Sequence, residues 1–391
     1  MLRIIASTLG LLCLVQAQVA PQTIRLESRV APRGTSLKRR ALNPVTVPLA
    51  DFFLGTDLQW FGNMTVGTPP QTIPVVFDTG SDTLEFASTL CPECVNQVQF
   101  DPTKSSTFQD GGTTSTITFA TGGGVDPVVG DNYQLTLRSA IDTVSVGGLT
   151  APGVSLFLVT NQTSPFDIDP YSGIQGLSPS GISARAQGFF ASLVNQGLPS
   201  LFSMYITPKA VGNAELTIGG IDTTKFTGTP IFASILPTSQ LNTAWQLKSP
   251  ALSVNGKTNS ILTRSRSIIF DSGTSNVLFS TDTTEAIYAL ISPDIKPNPN
   301  EPGTYGIACD RISSLPAVIG ISFTSQHGTP FNLTIPSSEL SVGPFANDPS
   351  TCQTLINAFD GLELVGGSLL KHWFSIWDVE GQRMGFAPAR L

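Results

Sequence analysis

Val75-Val76-Phe77-Asp78-Thr79-Gly80-Ser81-Asp82-Thr83-Leu84-Glu85-Phe86 can be laid without a gap over Ile268-Ile269-Phe270-Asp271-Ser272-Gly273-Thr274-Ser275-Asn276-Val277-Leu278-Phe279. Each copy is an apolar run, an Asp-[Thr/Ser]-Gly-[Ser/Thr] turn and a second apolar run. The copies lie 193 positions apart, one in each half of the chain. A single such turn says little, because Asp, Gly and Ser are ordinary turn residues. Two copies inside the same longer pattern describe an internal duplication. Two lobes of similar build that meet at a cleft bring one Asp from each to the middle. The apolar flanks bury the turns and push carboxylate chemistry into a drier site. Gly80 and Gly273 permit a tight backbone and close approach of the opposing loop. The hydroxyls of Thr79, Ser81, Ser272 and Thr274 can hold both carboxylates in a fixed plane.

Outward from these turns, the pattern from Asp51 onward is of short β-prone runs broken by Gly, Pro, Asn and Ser. Thr116–Phe119, Gln134–Leu137, Leu216–Ile218, Ser267–Phe270 and Val318–Phe323 are examples, and their density predicts a mostly β architecture. Helical signals are brief: Ala184–Gln196, and Thr281–Ile291 with Ser280 or Thr281 as its cap. The 391 residues suffice for two lobes with sizeable cores, since single cores stop growing at about 250–300 residues. The turn-rich Gly219-Gly220-Ile221-Asp222 marks the boundary between them. Charged residues make up 13% of the chain, against roughly 25% in an average domain, so the surface draws its polarity from Ser, Thr, Asn and Gln.

The first residues read as an export signal: Arg3, an apolar stretch from Ile4 to Val15, and a small-residue site at Val15-Gln16-Ala17. The rival reading, a membrane anchor, needs about 18 apolar residues and the run falls short. Between Gln18 and Arg40 six basic residues face one acid, ending in the processing-site pattern Lys38-Arg39-Arg40. Without residues 1–40 the body keeps 14 basic and 27 acidic residues, a formal charge of −13 against −7 for the whole chain. A basic leader on an acidic body can dock by electrostatic complementarity and let go as carboxylates protonate; the plainer alternative is a basic linker. Cys13 leaves with the signal, and Cys91, Cys94, Cys309 and Cys352 are even in number, as two disulfides in an oxidising compartment require. Sequence alone allows three pairings. Cys91-Pro-Glu-Cys94 also fits a redox or metal C-x-x-C motif, but no second thiol pair stands nearby. Asn63, Asn161 and Asn332 head glycosylation sequons.

Elimination narrows the chemistry. His327 and His372 are the only histidines, and neither sits in the His-Glu-x-x-His pattern of a zinc hydrolase. No Gly-x-Ser-x-Gly elbow accompanies them for a serine triad. With the cysteines paired, no thiolate nucleophile remains, and no metal or cofactor is called for. Carboxylates are left for acid–base work.

At this point the chain resembles the pepsin family of aspartic peptidases, from about Phe61 to Ala389. Besides the two turns, the matching segments are Val66-Gly67-Thr68-Pro69-Pro70-Gln71, Phe100-Asp101-Pro102 with Ser105-Ser106-Thr107, Leu216-Thr217-Ile218-Gly219-Gly220-Ile221-Asp222 and Gly385-Phe386-Ala387-Pro388. The resemblance implies a bilobal, mostly β fold with pseudo-two-fold symmetry and an active-site cleft between the lobes. It divides the chain into a signal peptide (1–17), a basic propeptide (18–40), an N-terminal lobe with the first Asp and a flap (41–222) and a C-terminal lobe with the second Asp (223–391). It implies bridges Cys91–Cys94 and Cys309–Cys352. It implies a secreted endopeptidase acting at acid pH, extracellular rather than vacuolar. The expected molecule is a monomer without membrane anchor or nucleic-acid partner, cutting protein or peptide substrates and inhibited by its own propeptide.

In that reading Asp78 and Asp271 share one proton and activate a water that attacks the peptide carbonyl. Family analogy makes Asp271 the base and Asp78 the acid. The flap falls on Thr116–Gly124, with Phe119, Ala120, Thr121 and Gly122 over the substrate and glycines suited to a mobile tip. Phe166, Tyr171 and Ile174 resemble the apolar wall that receives the residue before the cut, and Ser275 joins the substrate-binding set. The departures are paired. Phe119 stands where the family usually has a flap Tyr, and Glu85 where it has the Trp that bonds that Tyr. Lesser departures are Gln175 in an aliphatic position and Gly367 where an Asp is common. The alternative function is a catalytically weakened member of the same fold that binds rather than cuts, or acts as an inhibitor.

Overall fold

The computed structural model describes residues 42–121, 132–182, 188–237 and 243–391. The signal and propeptide expectations, Gly122 to Gly124, and the first residues of the helix expected over 184–196 lie outside these. The described residues form the bilobal, mostly β fold that the resemblance implies.

The duplicated sequence is a duplicated piece of structure. In the first half, strand Gln71–Asp78 runs parallel to Gly173–Gly176, which pairs antiparallel with Leu84–Ala87. In the second half, Arg266–Phe270 runs parallel to Leu364–Val365, which pairs antiparallel with Val277–Phe279. Each Asp therefore leaves the end of one strand, turns, and returns as another, with a third strand inserted between them. Gly176, the last residue of the first inserted strand, and Gly366, just after the second, occupy matching places: a Cβ on either would collide with the backbone of the turn beneath. No other residue fits there.

These triplets belong to larger sheets. An eight-stranded sheet is built within residues 50–176, and a five-stranded sheet contains the second triplet. A six-stranded sheet takes strands from both halves, and Leu201–Tyr205 pairing with Trp373–Asp378 is its join. Above that join Phe202 stacks on Trp377 with ring centroids 5.6 Å apart, and Trp245 meets Trp377 edge-on at 5.3 Å. All three rings are fully buried. Side chains of this size are each worth about 1.5–3 kcal/mol on burial, so one continuous core spans both halves. Trp245 also donates its ring N–H to the Leu177 carbonyl at 2.8 Å.

Motifs far apart in sequence meet in space. Gln71 and Asp101 exchange two hydrogen bonds of 2.9 Å, and the Thr68 N–H donates to Ser105 Oγ at 3.1 Å. The helix Thr281–Ile291 has the expected bounds, but its cap differs. Ser280 occupies the N-cap position without capping any N–H. Asp360, 79 residues on, accepts the Thr281 N–H at 2.9 Å instead. Both disulfides, Cys91–Cys94 and Cys309–Cys352, are present. Asn63, Asn161 and Asn332 are exposed. Gly367 is explained by its neighbour: a Cβ there would lie 2.6 Å from the Trp60 ring, so an Asp has no room.

Candidate active site

The two turns face each other and exchange bonds symmetrically. The Thr79 hydroxyl donates to the Phe270 carbonyl at 3.1 Å, and the Ser272 hydroxyl to the Phe77 carbonyl at 2.7 Å. In return the Ser272 N–H donates to Thr79 Oγ1 at 2.9 Å, and the Thr79 N–H to Ser272 Oγ at 3.0 Å. Each half thus satisfies buried polar groups that the other half cannot satisfy for itself. Lateral movement of one turn against the other breaks four bonds at once.

Within this frame the carboxyls are fixed alike. Asp78 accepts from the Gly80 N–H at 2.8 Å and the Ser81 hydroxyl at 2.5 Å. Asp271 accepts from the Gly273 N–H at 2.8 Å and the Thr274 hydroxyl at 2.7 Å. Both are buried, at 8% and 6% exposure. Burial first, then the charge of Asp78 and a hydrogen bond to it, hold the Asp271 carboxyl well above its ordinary range. Two carboxyls this close do not ionise together. Each glycine lies over the opposite carboxyl: a Cβ on Gly80 would sit 2.6 Å from Asp271, and one on Gly273 would overlap Asp78. We expect Gly273→Ala to force the carboxyls apart and lower kcat/KM at least ~100-fold. Peptide hydrolysis assays, with circular dichroism to show that the variant folds, check this.

The segment expected to form the flap reaches this centre at Thr121. The hydroxyls of Thr121 and Thr274 lie 2.8 Å apart. Phe119 has no hydroxyl to bond; it packs edge-on against Phe166 at 5.8 Å, and Tyr133 packs on the same ring at 5.5 Å. Aromatic packing thus replaces a polar lock. Ala120 is exposed. A hollow of about 410 Å³, counted with its open mouth, is lined by Asp78, Asp271, Gly273, Phe119, Thr121, Phe166, Tyr171 and Ile174. Ser275 is not among its lining residues: its buried hydroxyl donates to the Leu58 carbonyl at 2.8 Å, tying the halves together.

The wall of Phe166, Tyr171 and Ile174 is less apolar than its sequence suggests. Sequence reasoning missed Gln59, Tyr133 and Asp169, which line the same hollow. Tyr171 donates its hydroxyl to Gln59, whose amide donates in turn to the Gly273 carbonyl. Asp169 is raised to about 7, by burial first, against a hydrogen bond with Tyr171. Asp169 lies two residues before Tyr171, so Asp-Pro-Tyr was a readable signal for a polar group at this wall. Gln59 carried none. Glu85 lies behind the wall, 1% exposed and raised to about 8 by burial. Gln175 is buried, with its amide donating to the Gly176 carbonyl at 2.8 Å, where Val365 stands in the second triplet.

Known proteins match this arrangement. The family model described as eukaryotic aspartyl protease matches residues 59–389. Pepsin A of Rhinolophus ferrumequinum is 29% identical over 374 residues, covering 92% of this chain and 88% of that protein. Pepsin A of Suncus murinus is 30% identical, with 87% and 83% covered. Rhizopuspepsin-1 of Rhizopus niveus is 29% identical, with 88% and 82% covered. With matched segments that include both turns, the flap strand and the C-terminal strands, the chain belongs to the eukaryotic aspartyl protease family, of pepsin-like type.

Proposed function

We propose that this protein is a secreted endopeptidase, made as a proenzyme, that hydrolyses peptide bonds in acid through Asp78 and Asp271. The observation that carries the reading is the hydrogen-bonded pair of buried carboxyls, one from each copy of the repeated turn. Two carboxyls this close hold one proton between them in acid, and by family analogy Asp271 is the base that takes a proton from water. Asp78 then donates to the carbonyl oxygen, giving a tetrahedral diol without a covalent enzyme intermediate. The pair titrates as a unit, so both carboxyls share both roles over a catalytic cycle. Thr274 and Ser81 hold the oxygens in line, and Thr121 brings the flap to the same point. Export rests on the leader alone; among the described residues no helix is long and apolar enough to cross a membrane.

Purified protein, after cleavage at Lys38-Arg39-Arg40, should digest denatured globin at pH 3–5, and a statine peptide should block it. Digestion that persists in Asp78→Asn, or its absence at every pH, overturns the reading. A protein that binds statine peptides without cutting would be the weakened binding module, a reading favoured by the Phe119 and Glu85 replacements.

Acid operation has a counterpart in stability. Asp51, Glu85 and Asp169 are raised to about 8, 8 and 7, each mainly by burial. In the unfolded chain such carboxyls titrate near ~4. Between these values the folded state binds protons that the unfolded chain has released, so stability falls as pH rises. The contribution is complete below about pH 4 and is lost by about pH 8. The thermal midpoint should therefore fall by several degrees between pH 4.5 and 7.5, and Glu85→Gln should flatten the slope. Calorimetry at the two pH values checks both; a midpoint that rises over this range contradicts them.

A further inference from the structure

Strand Leu84–Ala87 is buried along its whole length. Leu84 and Phe86 point into the main core, while Ala87 belongs to the cluster beneath the flap with Leu135, Val159 and Phe166. Side chains alternate along a strand, so Glu85 shares the side of Ala87. In the second copy of the turn the same place is Leu278. A carboxyl thus stands where the molecule's own duplicate uses an aliphatic side chain.

Glu85 is ninety-nine per cent buried, and neither oxygen has a well-formed hydrogen-bond partner in the protein. The nearby Thr83 hydroxyl offsets only part of the cost, and the charges of Asp78 and Asp82 add to it. Burying a polar group unpaired is unfavourable, so a compensating ligand is expected. Glu85 lines a second hollow of about 340 Å³, counted with its open mouth, with Ala87, Leu135 and Val159 as apolar sides. Phe166, Asp169, Tyr171 and Ile174 line both this hollow and the one containing Asp78 and Asp271. Asp169 therefore stands between the two, with Asp167 adding negative charge. Among the described residues, no Lys, Arg or His lines either hollow.

We propose that these two hollows form one acidic side-chain pocket, in which Asp169 at the shared wall and Glu85 at the inner end receive a lysine or arginine of the peptide substrate. The inference rests on the endopeptidase reading and assigns the pocket to the residue before the cut. The aliphatic stem of the basic residue lies along Leu135, Val159 and Ala87, and its cationic head meets the carboxyls. A leucine in the same place leaves Glu85 buried and unpaired, so discrimination comes from a penalty as well as an attraction. The body, formally −13 at neutral pH, adds a pull on cationic peptides toward the upper end of the acid pH range, which fades as its carboxylates protonate.

A cation selects the ionised carboxyls. Because both carboxyls are held protonated in acid when the pocket is empty, the preference for a basic residue grows as pH rises. The experiment uses peptides identical except for lysine, arginine or norleucine before the cut, with kcat/KM measured from pH 3.5 to 6. The lysine-to-norleucine ratio at each pH cancels the common titration of the catalytic pair. The ratio should climb across this range and reach at least ~10 near pH 6. Glu85→Gln and Asp169→Asn should each flatten the climb, whatever their absolute rates. A ratio at or below unity throughout, or a climb unchanged in both variants, overturns the proposal. If no peptide is cut at all, the endopeptidase reading fails by itself. Statine peptides bearing lysine or norleucine at that position then still read the pocket by calorimetric binding: tighter binding of the lysine form, lost in Glu85→Gln, supports it, and equal binding overturns it.

Discussion

Replacing Asp271 by Asn should lower kcat for peptide hydrolysis about 10⁴-fold or more, with the fold intact. Asn has the same shape, and its amide oxygen can still accept from the Gly273 N–H. It can neither hold the shared proton nor pass it on. Asp78→Asn should do equal damage, since water activation needs one ionised and one protonated carboxyl. The double variant should lose little beyond either single change, because groups that act as a unit are not additive. Single-turnover hydrolysis of a chromogenic peptide at pH 4, beside statine binding, measures these losses. Nearly intact turnover in either single variant would place the chemistry elsewhere.

The largest stability effect should come from a residue outside the cleft. Lys371 is 3% exposed and lies 2.7 Å from Asp57 Oδ2 and 2.8 Å from Glu339 Oε2. Glu339 also meets His372 Nε2 at 2.9 Å. Asp57 begins the strand Asp57–Val66 in the first half, while the other members belong to the second. Lys371→Met fills a similar volume but strands two buried carboxylates without their cation. Removing one partner of a buried pair costs about 3–5 kcal/mol. Asp51, already raised by burial and by Asp57, loses the offsetting pull of Lys371 and should rise further. Urea unfolding at pH 5.5 should show the full loss. Adding Asp57→Asn to Lys371→Met should recover part of it, because one of the stranded charges is gone.

What could be read from sequence was what repeats or what is local. The two turns, their glycines and their hydroxyls are a pattern of neighbours, and so is the helix Thr281–Ile291. Its cap was not readable, because Asp360 arrives from another segment. The same holds for the site. Asp78 and Asp271 were legible because they occur twice in one context. Gln59, which joins Tyr171 to Gly273, belongs to no motif, and Lys371 with Asp57 is a pairing across 314 residues. The wall of Phe166, Tyr171 and Ile174 was legible as residues but not as a surface. Its polarity depends on Asp169 and on the Tyr171 hydroxyl being turned into the cleft.

The sheet joined by Leu201–Tyr205 and Trp373–Asp378 has a bearing on how such a molecule is made. The first of these strands leaves the ribosome long before its partner, and its edge waits unpaired while the intervening chain is synthesised. The Arg266–Phe270 strand that carries Asp271 waits in the same way for Leu364–Val365. A carboxyl pair assembled from early and late segments cannot come together on a half-finished chain, so any chemistry it performs waits until almost all of these strands exist. Until those last strands arrive, the same waiting edges are exposed to the wrong neighbours.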